Sequence, residues 1–575
     1  MKDLLRFFVA CMLLSATSYA GNYTWTGTTN SSWNTNTNWN PNGNPGSSDT
    51  ITINTTTTSL VLTGKKTVKR LVMTNDTLDL GGDTLEITGS AGFNGGHIMN
   101  GVCYLQATGL LSFAGTTFGA EVKAKGQIKL NGCTFNSTAY FEHTGSAAGT
   151  GSGGNTFNGT TTLKNAGTSA FRLAGSANDT FNGDVTVISA ATSGSGSMQL
   201  SAGGSSYFNG NIVVNSTTVF GISFSSAGAG SSVLASGKTI SIGGSGFVGT
   251  LLMRNFTQLG TTSQTLSFNG ILNIMNSEFN GSLTSSSTNL LLTGNNFHGV
   301  CSFTKIGISS DYSAGGNHFY QDLTIQNNVT NTAIIRMAST NGDVYEGDVT
   351  LNTSTGFIQM AYSDTSDFLG DISINSTKVN FNSGAGYVRF TGSSVQTLAG
   401  SVNYSFAKFI LDKTSGEIVL GSQVTIDSLI NLESGNISTS TSNFLILKAS
   451  CTLIGGTTQS YIIGPMTRYG ASSFIYPVGS NEKFRPITVS GSNVITDALK
   501  IQFIDSALQN PNSSDTTIML NSCESWKVEY LANSKNRIFT IPWDSVSCSI
   551  PRNSEIVVAG WNGDINLWIF RKQFA

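Results

Sequence analysis

The tripeptide Phe-Asn-Gly recurs along this chain, most clearly at Phe157-Asn158-Gly159, Phe181-Asn182-Gly183, Phe208-Asn209-Gly210, Phe268-Asn269-Gly270 and Phe279-Asn280-Gly281. Looser copies follow at Phe297-His298-Gly299, Phe319-Tyr320-Gln321, Tyr345-Glu346-Gly347 and Phe368-Leu369-Gly370. Many successive copies stand 22 to 27 residues apart. A period of that length marks stacked repeats, each of which buries its apolar face only against its neighbours.

The positions after the aromatic are patterned too. Four and six residues on stand Val185 and Val187, Ile212 and Val214, Leu272 and Ile274, Leu323 and Ile325, Val349 and Leu351, and Ile372 and Ile374. Alternation at period two places each pair on one face of a strand. The glycine two residues after the aromatic supplies a bend that a Cβ would hinder, and the aromatic anchors the corner. Cys301 takes the fourth position of its copy, which reads as core rather than as a reactive thiol. A second strand recurs between the marks: Phe171-Arg172-Leu173-Ala174, Met198-Gln199-Leu200-Ser201, Ile335-Arg336-Met337-Ala338, Ile358-Gln359-Met360-Ala361 and Val388-Arg389-Phe390-Thr391. Two or three short strands per period predict one coil of a parallel β-helix, right-handed by the usual sense of parallel crossovers.

Composition agrees with an all-β chain. Only 11% of residues are charged, whereas 66 are Gly and 39% are apolar, a balance that favours strands joined by tight turns. Proline is missing between Pro45 and Pro465, and tryptophan between Trp39 and Trp526. A proline inside a strand paired on both sides removes a ladder hydrogen bond, so a long solenoid excludes it. The gap marks a parallel β-helix over residues 51–460, predicted to hold about 16–18 coils. Residues 21–50, with Trp25, Trp33 and Trp39, are placed to cap its first edge. Beyond 460 proline and tryptophan return, and 461–575 reads as a separate β-sandwich-like domain.

Residues 1–20 read as a signal peptide. Lys2 and Arg6 flank an apolar stretch ending at Leu14, and Ser18-Tyr19-Ala20 offers small residues for cleavage before Gly21. The expected location is secreted or on the outer surface of a bacterium. No later run is long and apolar enough for a membrane helix. A net charge of −2 gives no field to attract nucleic acid. Among the six remaining cysteines, Cys523 and Cys548 are the best-placed pair for a disulfide.

Two blocks of motifs resemble those of secreted, adhesin-like repeat proteins of the Bacteroidetes, the cargo of type IX secretion. One is Tyr23-Thr24-Trp25-Thr26-Gly27 with Ser32-Trp33-Asn34, Asn38-Trp39-Asn40-Pro41 and Pro45-Gly46-Ser47-Ser48-Asp49. The other is Gly464-Pro465-Met466-Thr467-Arg468, Tyr476-Pro477-Val478-Gly479 and Trp561-Asn562-Gly563. The resemblance implies export, a structural or adhesive role, and partners among surface glycans or other extracellular proteins. It also implies a C-terminal sorting domain, for which no segment is recognised before Ala575. Asp-Ser/Thr-apolar triplets such as Asp76-Thr77-Leu78 and Asp427-Ser428-Leu429 match the O-glycosylation pattern of such proteins.

Glycoside cleavage needs two or three converging carboxylates, and the chain has no Asp-Asp dipeptide. The nearest acidic stretch, Asp364, Asp367 and Asp371 with Asp343, Glu346 and Asp348 one coil earlier, reads as turn residues. His97, His143, His298 and His318 form no short-spaced metal pair, and His298 and His318 are expected to face solvent. No catalytic residue, cofactor or metal is assigned. The expected function is a non-catalytic extracellular or cell-surface, adhesin-like solenoid. The alternative is a polysaccharide-degrading or polysaccharide-binding β-helix. The one candidate face is Arg172, Gln199, Arg336, Gln359 and Arg389, read as the same outward slot of successive coils and able to contact glycans or a partner. Trp561 and Trp568 are read as packing residues with a lesser claim to sugar stacking.

Overall fold

The structure is a computed structural model that describes residues 20–54, 56–226, 230–505, 524–532, 537–541, 558–562 and 567–571. It is nearly all-β, with parallel stacked coils forming a β-solenoid of about 20 turns. The chain divides into two compact units, Met1–Gly307 and Ile308–Ala575. The segment expected to be a signal peptide lies outside the described residues, apart from Ala20. No helix among the described residues is long and apolar enough to cross a membrane.

A coil of the first unit shows how the repeat works. Thr161–Asn165 runs on a long face, Phe171–Arg172 on a second face, and Asp179–Phe181 on a third, the aromatic face. Each strand pairs in parallel with its counterpart one coil on: Thr161 opposite Val185, Phe171 opposite Met198, Phe181 opposite Phe208. The aromatics therefore stack in a column. Phe118, Phe135, Phe157, Phe181 and Phe208 follow one another with ring centroids 4.6 to 5.1 Å apart and planes within 14°. The second unit repeats the column with Phe319, Tyr345, Phe368 and Phe390.

The motif glycine has a sharper reason than the bend expected of it. A Cβ on Gly183 would stand 2.4 Å from the carbonyl oxygen of Gly159, and one on Gly210 would stand 2.3 Å from that of Gly183. Coil lies so tightly on coil at this corner that only a hydrogen fits. The asparagine is explained by the same stacking. Asn158 Nδ2 donates to Asn136 Oδ1 (2.7 Å), Asn182 to Asn158 (2.6 Å) and Asn209 to Asn182 (2.8 Å), forming an exposed amide ladder.

Two further slots are buried and polar. Two residues before the aromatic stand Asn155, Asp179 and Ser206 in the first unit, with Ser232 likewise before Leu234, and Asn317, Asp343 and Ser366 in the second. Eight residues after it stand His143, Asn165, Ser189 and Ser216, and in the second unit Asn327. Both slots lie where a strand gives way to a corner, so inward backbone groups lose their ladder partners and must find others. Asn165 Nδ2 donates to the carbonyls of Ser169 and Ser197, while its Oδ1 accepts from Gly167 N–H. Asn327 Nδ2 donates in the same way to Ala333 and Phe357. His143 Nδ1 accepts from Ile128 N–H.

Some sequence expectations are corrected. Phe268 is not in the aromatic column: Gln258 pairs with Phe279 there, and Leu272 and Ile274 lie on the second face, opposite Leu251 and Met253. Val388-Arg389-Phe390 is not a second strand, because it pairs with Ser366-Asp367-Phe368 on the aromatic face. Val379–Asn380 fills the second-face position after Ile358 instead. The turns number more than the 16–18 expected because several coils are short. Leu78, Ile98, Phe118 and Phe135 occupy one column at intervals of 17 to 20 residues.

At its first edge the solenoid is closed by the tryptophan segment. Asn22–Trp25 pairs in parallel with Thr50–Asn54 and antiparallel with Trp39–Asn40, which ends the long sheet. Trp25, Trp33 and Trp39 are buried, with ring centroids 5.2 and 4.9 Å apart across Trp39. In the second unit parallel pairing runs past 460, through Ile462–Ile463 to Val478–Gly479. Antiparallel pairs enter with Met466–Tyr469 against Ala498–Ile504, which pairs on with Ser525–Ala532. Phe474–Tyr476, Ile487–Val489 and Phe539–Thr540 form a second antiparallel set.

Candidate functional site

The residues proposed as one outward row separate into three places. Arg172 and Gln199 are register partners on the second face of the first unit, and Arg336 and Gln359 are partners in the second unit. Arg389 does not share their slot. It lies on the aromatic face, where its Nε and Nη2 clamp the two carboxylate oxygens of Asp367 at 2.7 Å each. Such a bidentate pair fixes the guanidinium and leaves it committed within the chain.

Arg336 has the most developed surroundings. Tyr312 pairs with it one coil earlier, and Tyr362 follows in the next coil. The guanidinium carbon lies 4.3 Å from the ring centre of Tyr312 and 3.7 Å from that of Tyr362, and Nε donates to Gln359 Oε1 at 2.8 Å. Two rings stacked on a planar cation, each contact worth about 0.5–1 kcal/mol at an exposed site, hold the cluster flat. Tyr312 is 52% exposed, so the cluster presents a platform to solvent. Tyr312 holds the slot of Arg336 one coil earlier but escaped the sequence reading because Asp311-Tyr312-Ser313 lacks the flanking apolar residues that mark the slot elsewhere, and Tyr362 stands three residues beyond Gln359.

The carboxylates of the acidic stretch are tied into the solenoid. Asp371 N–H donates to Asp348 Oδ1 and Asp348 N–H to Asp322 Oδ1, while Asp371 Oδ1 accepts from Thr397 N–H. Asp364 accepts from Gly342 and Thr365. Asp343 departs from its expected place on a turn: it is buried, takes both N–H groups of Asn317 and accepts from the Tyr345 hydroxyl. Burial pushes its carboxyl up to about 6, as it does that of Asp179 in the matching slot of the first unit. Asp179 accepts from both N–H groups of Asn155 and from Ala174 N–H. These are structural acceptors for corners.

His298 and His318 reach solvent in part and pair with Glu278 at 3.4 Å and Glu346 at 2.7 Å. Cys103, Cys133, Cys301 and Cys451 are free and buried. Burial pushes the thiols of Cys103 and Cys301 up to about 12 and those of Cys133 and Cys451 up to about 11, which keeps them protonated and poor nucleophiles. Cys523 and Cys548, the expected disulfide, lie outside the described residues. The strands Val558–Asn562 and Leu567–Arg571 pair antiparallel with Trp561 opposite Trp568. Among the described residues no group of three or more His, Cys, Asp or Glu side chains could hold a metal ion.

No family model matches the chain, and neither does any curated protein or solved structure.

Proposed function

We propose that this protein is a non-catalytic, adhesin-like solenoid exported to a bacterial surface, where it holds surface glycans or extracellular proteins. The platform of Tyr312, Arg336, Tyr362 and Gln359 carries this reading. It offers flat aromatic and guanidinium surfaces beside an amide, the combination that stacks on sugar rings and aromatic side chains while fixing their polar groups. The polysaccharide-degrading alternative draws less support. Its chemistry needs a proton-donating acid and a second free carboxylate, whereas the acidic stretch is bound to backbone amides, to Arg389 and to His318.

The test is binding of the full chain to an array of glycans and matrix proteins, beside the variant Tyr312→Ala/Arg336→Ala. Loss of at least tenfold in affinity for the best wild-type partner is expected, with no new release of sugar from any glycan. A wild-type chain that binds nothing, or a variant that binds as well, would overturn the proposal.

A further inference from the structure

The first unit carries a hollow of about 370 Å³ lined by Thr88, Gln106, Ala107, Thr108, Lys125 and Thr144. Its origin is a bulge in the strand Val102–Ala114. Gln106 pairs with Lys125 and Leu110 with Gln127, so Ala107, Thr108 and Gly109 stand opposite the single Gly126. Bulges re-aim side chains and break pairing, and here the extra residues open a recess beside a second register shift, between Ile87 and Ala91, in the preceding pair of the sheet.

Two outward rows run beside the recess. One is Glu86, Tyr104, Lys123 and Tyr140 in successive coils; the other is Gln106, Lys125, Glu142 and Lys164. The tyrosines are two coils apart, about 10 Å at the usual strand spacing, comparable to the rise of a disaccharide. Their hydroxyls donate to Gln106 Oε1 (3.1 Å) and Glu142 Oε2 (2.7 Å), which fixes both rings.

Charge selects the ligand. The Glu142 side chain is only 11% exposed and lies 3.4 Å from Lys125 and 3.5 Å from Lys164. The Lys125 and Lys123 side chains are 51% and 48% exposed, and Lys123 also meets Glu121 at 2.9 Å. With the Lys65–Glu86 pair at 2.7 Å beside Tyr104, four lysines meet three less exposed carboxylates, so the face carries a local excess of one positive charge on a chain of net charge −2.

We propose that this recess and its two rows bind an acidic polysaccharide. Sugar rings lie over Tyr104 and Tyr140, uronate carboxylates meet Lys123, Lys125 and Lys164, and hydroxyls meet Gln106 and the threonines. The assignment deepens the adhesive reading by naming a ligand class at a second surface.

Titration of the full chain with an oligogalacturonate at low ionic strength tests it, beside an uncharged glucan oligomer and a thymidine oligonucleotide of similar length. Saturable binding of the oligogalacturonate alone is expected. It should weaken at least tenfold in Lys123→Gln/Lys125→Gln and hold in Lys408→Gln/Lys448→Gln, which removes the same charge from the second unit. Both groove lysines are about half exposed, so the thermal midpoint should not move. The proposal is overturned if the wild type does not bind, if the glucan or the oligonucleotide binds equally well, or if the groove variant binds unchanged. Failure here with the Arg336 effect intact would leave the adhesive reading standing.

Discussion

The coils marked by Phe157, Phe181 and Phe208 keep the full Phe-Asn-Gly motif, whereas those marked by Phe319, Tyr345 and Phe368 do not. Inside, the two sets are nearly alike. Both stack an aromatic on an aromatic, both place a buried polar group two residues earlier, and both use Asp fed by the N–H groups of the preceding Asn. Outside, they diverge. The slot after the aromatic is an amide ladder in the first set and holds Tyr320, Glu346 and Leu369 in the second. Inward slots are bounded by stacking distance and by orphan backbone groups, so their chemistry is held. The outward slot answers only to solvent and is free to carry ion pairs such as His318–Glu346.

If the aromatic columns are equivalent, truncation should cost the same in both. Phe181→Ala and Phe368→Ala should each destabilise by about 3–5 kcal/mol, the usual cost of emptying an aromatic site in a packed core. Denaturant midpoints measured for both variants would break the comparison if one fell far more than the other.

The paired acids come next. Asp179 and Asp343 shift from an ordinary 3.8 to about 6 in the folded chain because burial penalises the charged form. The folded state thus holds these protons to higher pH than the unfolded chain does. Their contribution to stability is full below about pH 4 and is lost as pH rises through 6, by about 3 kcal/mol per group. Asp343→Asn should flatten the pH dependence of unfolding between pH 4 and 6 relative to the wild type. An unchanged slope would show that the slot is more hydrated than its burial implies.

The smallest effect sharpens the difference outside. Asn182→Ala removes two amide hydrogen bonds and should cost about 1 kcal/mol. Glu346→Ala, in the same slot of the second unit, removes a half-exposed pair and should cost about 0.5 kcal/mol or less. Thermal midpoints of the two variants would decide it, and equal losses would mean that the ladder adds nothing beyond a surface ion pair.

Much of the fold was legible. Period-two alternation at Val185 and Val187, or at Val349 and Leu351, fixed the strand and its inward face. Less of the candidate site was. Arg336 and Gln359 were rightly placed beside one another, yet Arg389 was assigned to their row because Val-Arg-Phe looks like Ile-Arg-Met. The buried polar slots were missed because Asp, Asn and Ser also mark exposed turns, and a single sequence does not separate the two uses.

By itself, then, the sequence determined the class of the fold, the period of its coils and which side chains of a strand point inward. These are local properties, set by alternation and by turn residues within one repeat. Only the tertiary structure decided the slot of each copy, the displacement of Phe268, and the meeting of Tyr312, Arg336 and Tyr362. Those depend on hydrogen-bond register between coils, and on insertions such as Ala107–Gly109, whose consequence appears only when the next coil is laid against them.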